Sequence, residues 1–353
     1  MRILLVGNAN LKHRGGRYYD HAMKLYNGFV RNGHNVYFLS DRDVARSSNP
    51  FGFKAMGEKF CNNYLLDVCR NFQPEFIVLC HADIIKAKTV AEAKKILPGV
   101  KVVQFNVDPI FREHNMAMIR SKLNVVDGTF ITTAGKELAR FNNKNGFVAF
   151  TPNPVDPSID WPKCHENSNQ PNDVFWALRP TKTTNLNDPR IGYPLFIEES
   201  GKVKIKYYGM NGAPTLMNAD YYKRIADCKM GLNISVVGEL GGIDYARPEE
   251  LYLYSSDRIA QYMGSGLLVL TTRDNSLEEM FEENKEAVFF KGKEELLDKL
   301  TYYKNNDTER RKIATAGYEK SHKHLNERLV ARYILESTLN DKVSEYIWPI
   351  TKY

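Results

Sequence analysis

The chain has 353 residues, 43% of them hydrophobic and 26% charged, with a formal net charge of +7 and a pI near 8.9. That length suits two domains of ordinary size, each with its own core, and the composition excludes disordered, collagenous and membrane-spanning classes. The basic residues are dispersed, with no Lys/Arg run interleaved with aromatics, so no nucleic-acid partner is expected; an anionic small substrate, or loose peripheral contact with anionic lipid, fits the charge.

The first strand is Arg2 to Val6, whose four-residue apolar run from Ile3 is cut by Gly7-Asn8 and is too short for a leader segment. A polar loop with Gly15-Gly16 follows, then an amphipathic helix over Tyr18 to Arg31 that places Ala22, Leu25, Tyr26 and Phe29 on one face. Strands are predicted at Asn35 to Leu39, Phe76 to Cys80, Val100 to Val107, Val125 to Thr132 and Phe147 to Phe150. Helices between them cover Gly57 to Asn71, Lys86 to Ile96 and Gly135 to Asn142. This alternation implies a parallel sheet with helices on both faces. Thr151 to Ser158, TPNPVDPS, carries three prolines that break regular structure.

The second half repeats the alternation. Strands are predicted at Val174 to Leu178, Lys202 to Tyr208, Met230 to Ile234, Leu267 to Leu270 and Ala287 to Phe290. Helices are predicted at Ala219 to Cys228, Ser255 to Met263, Leu277 to Glu283, Lys293 to Asn305 and Asp307 to Glu327. The division is 1–150 for the first domain, 151–173 for a linker, 174–329 for the second domain, and 330–353 for a segment that packs back on the first. The cysteines Cys61, Cys69, Cys80, Cys164 and Cys228 form no CxxC pair or zinc-spaced cluster. An odd count without a framework suits a reducing, cytoplasmic compartment.

Ligands of open α/β sheets bind past the carboxyl ends of the strands, so the residues there carry the candidate chemistry. His81 follows the Phe76 to Cys80 strand, with Asp83 close by. His81 could hydrogen-bond a hydroxyl or shuttle a proton. Asp108 follows the strand ending at Val107 and could serve as a carboxylate base. Gly15 and Gly16 let a loop backbone approach an anion, with Lys12, Arg14 and Arg17 adding charge. Arg179 and Lys182, after the strand ending at Leu178, could neutralise a departing diphosphate. Gly209 opens the turn after Tyr208, and Asn233 ends its strand ahead of a polar loop with Gly241, Gly242, Asp244 and Arg247. Thr272, Ser276, Leu277 and Glu279 lie past Leu267 to Leu270, where amides opening a helix would face an anion. The G-x-G-x-x-G fingerprint of dinucleotide enzymes is absent from the first loop.

Asp257-Arg258, the Gly264-Ser265-Gly266 turn, Leu277-Glu278-Glu279-Met280-Phe281, Glu286, and Asp307-Thr308-Glu309-Arg310-Arg311 together resemble the nucleotide-sugar-binding half of GT-B glycosyltransferases, especially the CgeB-like and group 1 members. The opening Gly15-Gly16 with Gly33-His34-Asn35-Val36 resembles the first half of the same fold. The resemblance is good over 200–330, weaker over 1–155 and poor between. It implies two Rossmann-like domains facing a central cleft. It also implies a glycosyltransferase that moves a sugar from a UDP- or GDP-linked donor to a glycan, a lipid-linked glycan or a protein, without metal or other cofactor. Arg258 would reach a phosphate or the ribose, and Gly209 would lie near the base. The Glu-x7-Glu pair of retaining members is replaced by Leu253 and Gln261. A nucleotide-sugar epimerase on this fold, or a non-enzymatic assembly protein that kept it, stays open.

Overall fold

A computed structural model of the chain describes residues 1–17, 20–179, 188–234, 248–339 and 343–353. It divides into two compact units, Met1–Pro154 with Asn326–Tyr353, and Val155–Leu325.

Among the described residues, the first unit is built on six parallel strands: β1 (Arg2–Gly7), β2 (Asn35–Ser40), β3 (Phe76–Cys80), β4 (Lys101–Asn106), β5 (Gly128–Ile131) and β6 (Phe147–Phe150). Their order across the sheet is β2-β1-β3-β4-β5-β6. Val6 lies opposite Leu39 on one side and Leu79 on the other. Ile3, Leu4, Leu5 and Val6 are wholly buried, as expected of a strand covered on both faces. The helices are α1 (Asp20–Arg31), α2 (Asp41–Ser47), α3 (Glu58–Phe72), α4 (Ala87–Ile96), α5 (Glu113–Arg120) and, after the second unit has been completed, α11 (Glu327–Leu339). α11 lies on α1, and Gly28 makes the approach possible: a Cβ there would come within 2.1 Å of the Glu327 carbonyl oxygen. Arg31 closes the contact with an ion pair to Glu327 at 2.5 Å.

In the second unit the strands are β7 (Asn172–Ala177), β8 (Ile205–Tyr208), β9 (Cys228–Asn233), β10 (Leu268–Thr272) and β11 (Val288–Phe290), in the parallel order β11-β10-β9-β7-β8. The helices are α6 (Pro189–Ser200), α7 (Asn218–Ala226), α8 (Asp257–Gly264), α9 (Gly292–Asn305) and α10 (Asp307–His324). Trp176, Met230, Leu232, Leu268 and Leu270 are fully buried in the core beneath them. Residues 155–173, read above as linker, belong to this unit: Val155, Asp156, Asp160 and Cys164 are buried. Arg311 fixes that stretch by donating to the carbonyls of His165 and Asn167, while Arg310, fully buried, pairs with Asp307 at 2.7 Å. The Asp307 to Arg311 motif is therefore a structural clamp.

The largest departure from the sequence reading is at Leu277 to Glu283. No α-helix forms there; Arg273–Asn275 and Leu277–Glu279 are two short 3-10 turns. Ser276 between them sits at φ 54°, and Leu277 is drawn into the core. The amides of Ser276, Glu279 and Met280 are used within the turns. The helix N-terminus expected to face an anion at Ser276 to Glu279 is therefore not formed. Gly135 to Asn142 is likewise a 3-10 turn, Lys136–Phe141. Helices α2, α5 and α6 are further elements that the sequence analysis does not predict.

Candidate active site

In each sheet the direction of the chain reverses once, between β1 and β3 in the first unit and between β7 and β9 in the second. Connections leave such a point in opposite directions and open a crevice at the carboxyl ends of the strands.

In the second unit the residues at this crevice form one connected set. Asn233, wholly buried at the end of β9, donates from Nδ2 to Thr271 Oγ1 at 2.9 Å. Its Oδ1 accepts from Ser256 Oγ at 3.2 Å. Ser256 caps α8 by accepting from the Ile259 amide. The cap fixes the first turn of α8 and with it Arg258, which donates to the Ile234 carbonyl at 3.1 Å. The Arg258 guanidinium lies 4.3 Å from the Trp176 ring centroid, Trp176 coming from β7. Burial holds this cation over an aromatic face rather than in solvent. Arg179 is exposed two residues past the end of β7; Lys182 and the Gly241 to Arg247 loop lie outside the described residues.

Thr272 Oγ1, at the end of β10, and both polar atoms of the Asn275 side chain, just past it, are buried without a hydrogen-bond partner in the chain. Each such group costs about 1–3 kcal/mol unless a ligand or water completes it. Asn275 lies just beyond a buried strand, where ligands of open α/β sheets bind, a position legible from the sequence. Its backbone carbonyl also accepts from the Leu253 amide at 2.7 Å. Gln261, on α8, receives the Tyr221 hydroxyl on Oε1 at 2.8 Å. Glu279 is exposed and receives the Tyr252 hydroxyl at 2.6 Å. Glu286 accepts from the Glu282 amide and pairs with Lys320, an internal tie. Arg273 is engaged by both oxygens of Glu283 at 2.6 Å. Gly209 turns the chain at φ 75°, its amide donating to the carbonyls of Ala213 and Pro214.

In the first unit, His81 follows β3 in a left-handed conformation, φ 58°, and Ala82 follows at φ 43°. Two successive non-glycine residues in this region store strain, which is concentrated at functional positions in folded proteins. The His81 side chain is 14% exposed, and its Nδ1 is 3.7 Å from Asp108 Oδ2, an ion-pair distance rather than a hydrogen bond. Asp108 is anchored by its own amide, which donates to Asn106 Oδ1. On the other side of His81 stands His21, from the first turn of α1, with ring centroids 5.4 Å apart, edge to face. Burial holds both imidazoles below their usual pKa; for His21 the neighbouring His81 adds to this, while for His81 Asp108 opposes it. Both imidazoles are therefore held in the neutral form near pH 7. His21 escaped the sequence reading, although it lies on the buried side of α1 with Ala22 and Leu25.

Beside them Asp83 is held by Arg42 at 2.7 Å and Lys54 at 2.9 Å. Burial opposes its ionisation, but these two hydrogen bonds outweigh that and hold its pKa at about 2. Gly15, at φ 82°, and Gly16 lie in the loop after β1, where Leu11–His13 forms a 3-10 turn.

No match was found among curated proteins. Residues 192–336 match the family model described as glycosyl transferase-like. Solved structures resemble the chain over nearly its whole length. HepE from Anabaena, determined with UDP-glucose, aligns with TM-score 0.59 and 12% identity over 96% of this chain and 99% of its own. Sucrose-phosphate synthase from Thermosynechococcus elongatus gives 0.60 and 9% over 94% and 96%. An alpha-glucosyltransferase determined with UDP and a 13-mer DNA gives 0.58 and 13% over 92% and 96%. The chain therefore has the GT-B fold, and its residues 192–336 are a glycosyl transferase-like domain.

Proposed function

We propose that this protein is a glycosyltransferase that moves a sugar from a nucleoside-diphosphate donor, UDP- or GDP-linked, to an acceptor hydroxyl on a glycan, a lipid-linked glycan or a protein. The observation that carries this reading is the Asn233–Ser256–Arg258–Trp176 set at the topological switch of β7 and β9, in the segment that matches the glycosyl transferase-like family. Similar structures determined with UDP-glucose or UDP support it.

In this reading Arg258 and Arg179, with Lys182, meet the negative charge that grows on the diphosphate as its oxygen separates from the sugar carbon, so no metal is needed. Thr272 and Asn275 hydrogen-bond the nucleotide or sugar. His81 takes the proton from the acceptor hydroxyl as the new carbon–oxygen bond forms, and Asp108 positions and stabilises the imidazolium. The neutral imidazole of His81, 3.7 Å from the Asp108 carboxylate, supports His81 as the base in this reading.

The test is a thermal-shift and calorimetric screen with UDP, GDP, CDP, TDP and their sugars, with and without magnesium. Stabilisation by one diphosphate identifies the donor class; absence of binding to all of them would overturn the reading. A second reading, a binding or assembly protein without transfer activity, is favoured by one observation: Leu253 and Gln261 stand where retaining relatives carry glutamates, and Gln261 is already tied to Tyr221. It requires nucleotide binding without turnover, and a cellular function that survives Arg179→Ala.

A further inference from the structure

Two loops of the first unit present large apolar side chains to solvent. In the loop after β1, Leu11 is 67% exposed. In the loop between α2 and α3, Phe51 is 68%, Phe53 62% and Met56 58% exposed, and Phe60 in the first turn of α3 is 53% exposed. The rings of Phe51 and Phe53 stack on each other, centroids 6.4 Å apart and 18° from parallel, without cover. Isolated exposed apolar residues need no explanation, but several in two loops that line one cavity mark an interaction surface. Between the loops lies an open cavity of about 980 Å³, whose wall includes Leu11, Phe38, Val44 and Phe53.

The charge of the same surface is predominantly basic. Residues 8–17 and 48–60 contain five cations, Lys12, Arg14, Arg17, Lys54 and Lys59, against one acid, Glu58, which is paired with Lys86 at 2.9 Å; Asp43 lines the cavity wall. Lys12 and Arg14 are exposed; Lys54, though paired with Asp83, is 48% exposed. Apolar rings set among cations match one kind of partner closely, a layer of anions over an apolar layer. Aromatic rings seat at the boundary of such a layer and cations at its headgroups. No described helix is long and apolar enough to cross a membrane.

We propose that the loops 8–17 and 48–60 form a docking surface for an anionic lipid bilayer, with Phe51, Phe53 and Met56 inserted among the acyl chains and Lys12, Arg14 and Lys54 at the headgroups. Each cation at an anionic surface strengthens binding by about fivefold, and the three apolar side chains together by more than tenfold.

The experiment is co-sedimentation of the full chain with vesicles of phosphatidylcholine alone and of phosphatidylcholine and phosphatidylglycerol in equal parts. The chain is expected to pellet with the mixed vesicles, to release at high salt and to stay in solution with phosphatidylcholine alone. Phe51→Ser/Phe53→Ser/Met56→Ser should weaken binding at least about tenfold with unchanged circular dichroism and melting midpoint, since these side chains are exposed. In a separate Phe53→Trp variant, brominated acyl chains should quench the new indole. The proposal is overturned if no vesicle is bound, if the triple variant binds as well as the wild type, or if the indole of a bound chain is not quenched. Binding of poly-glutamate through the same three residues without any vesicle binding would also overturn it, in favour of an acidic protein partner. The nucleotide screen run on the triple variant separates this proposal from the transferase reading, because Phe51, Phe53 and Met56 take no part in donor binding.

Discussion

Asp41→Asn tests the electrostatics around the first unit's crevice most directly. Asp41 opens α2 and is 1% exposed, accepting from the Arg42 amide at 2.8 Å and from the Ile84 amide at 3.3 Å. Burial, reinforced by the nearby Asp83 carboxylate, pushes its pKa up to about 7. In the unfolded chain it titrates near 3.9. As pH rises through that value the unfolded state loses a proton that the folded state keeps, so stability falls until the folded group ionises as well. A difference of about three pH units corresponds to about 4 kcal/mol lost between roughly pH 4 and pH 7. Asparagine removes this loss but accepts fewer hydrogen bonds, at a cost of about 1 kcal/mol. The variant should then be less stable than wild type by about 1 kcal/mol near pH 4 and more stable by about 3 kcal/mol near pH 8. Urea midpoints for both proteins at the two pH values measure it. A variant that loses further stability as pH rises would refute the reasoning. It would mean that Asp41 is ionised in the fold and stabilised by the buried Lys122, whose charge favours that ionisation.

Once a transfer reaction is in hand, His81→Gln should lower kcat by about 10²–10⁴-fold. Asp108→Asn should lower it less and move the acid limb of the pH profile to lower pH, because Asp108 raises the His81 pKa. An unmoved limb would remove Asp108 from its positioning role. Arg258→Ala loses the hydrogen bond to Ile234 and the contact with Trp176, about 2–3 kcal/mol of stability, and should abolish the nucleotide thermal shift; Arg258→Lys, read in the same assay, shows whether charge alone suffices. Gly28→Ala drives a methyl into the Glu327 carbonyl and should lower stability by at least about 1–3 kcal/mol; an unchanged melting midpoint would contradict the tight packing of α1 on α11. All five thiols are buried, and burial raises their pKa, that of Cys61 to about 12 and that of Cys69 to about 11. A thiol reagent should therefore modify none of them until the chain unfolds.

The sequence alone determined where most strands lie and that they run parallel. Buried parallel strands need unbroken apolar runs such as Ile3 to Val6 and Leu267 to Leu270, and glycine must occupy turns such as Gly266 at φ 73°. It also placed His81, Asp108, Asn233 and Thr272 at the carboxyl ends of strands, because that position follows from strand boundaries. The missed helices α2, α5 and α6 are seven to twelve residues long, and packing rather than periodicity stabilises so short a helix. The acidic run Leu277 to Glu283 looks helical by composition. Burial of Leu277 and the left-handed Ser276 override that preference. Tertiary structure alone decided which distant residues meet: His21 beside His81, Arg258 above Trp176, Asp41 near Asp83 and Lys122. Such meetings depend on strand order, and strand order comes from long-range packing that no local pattern encodes.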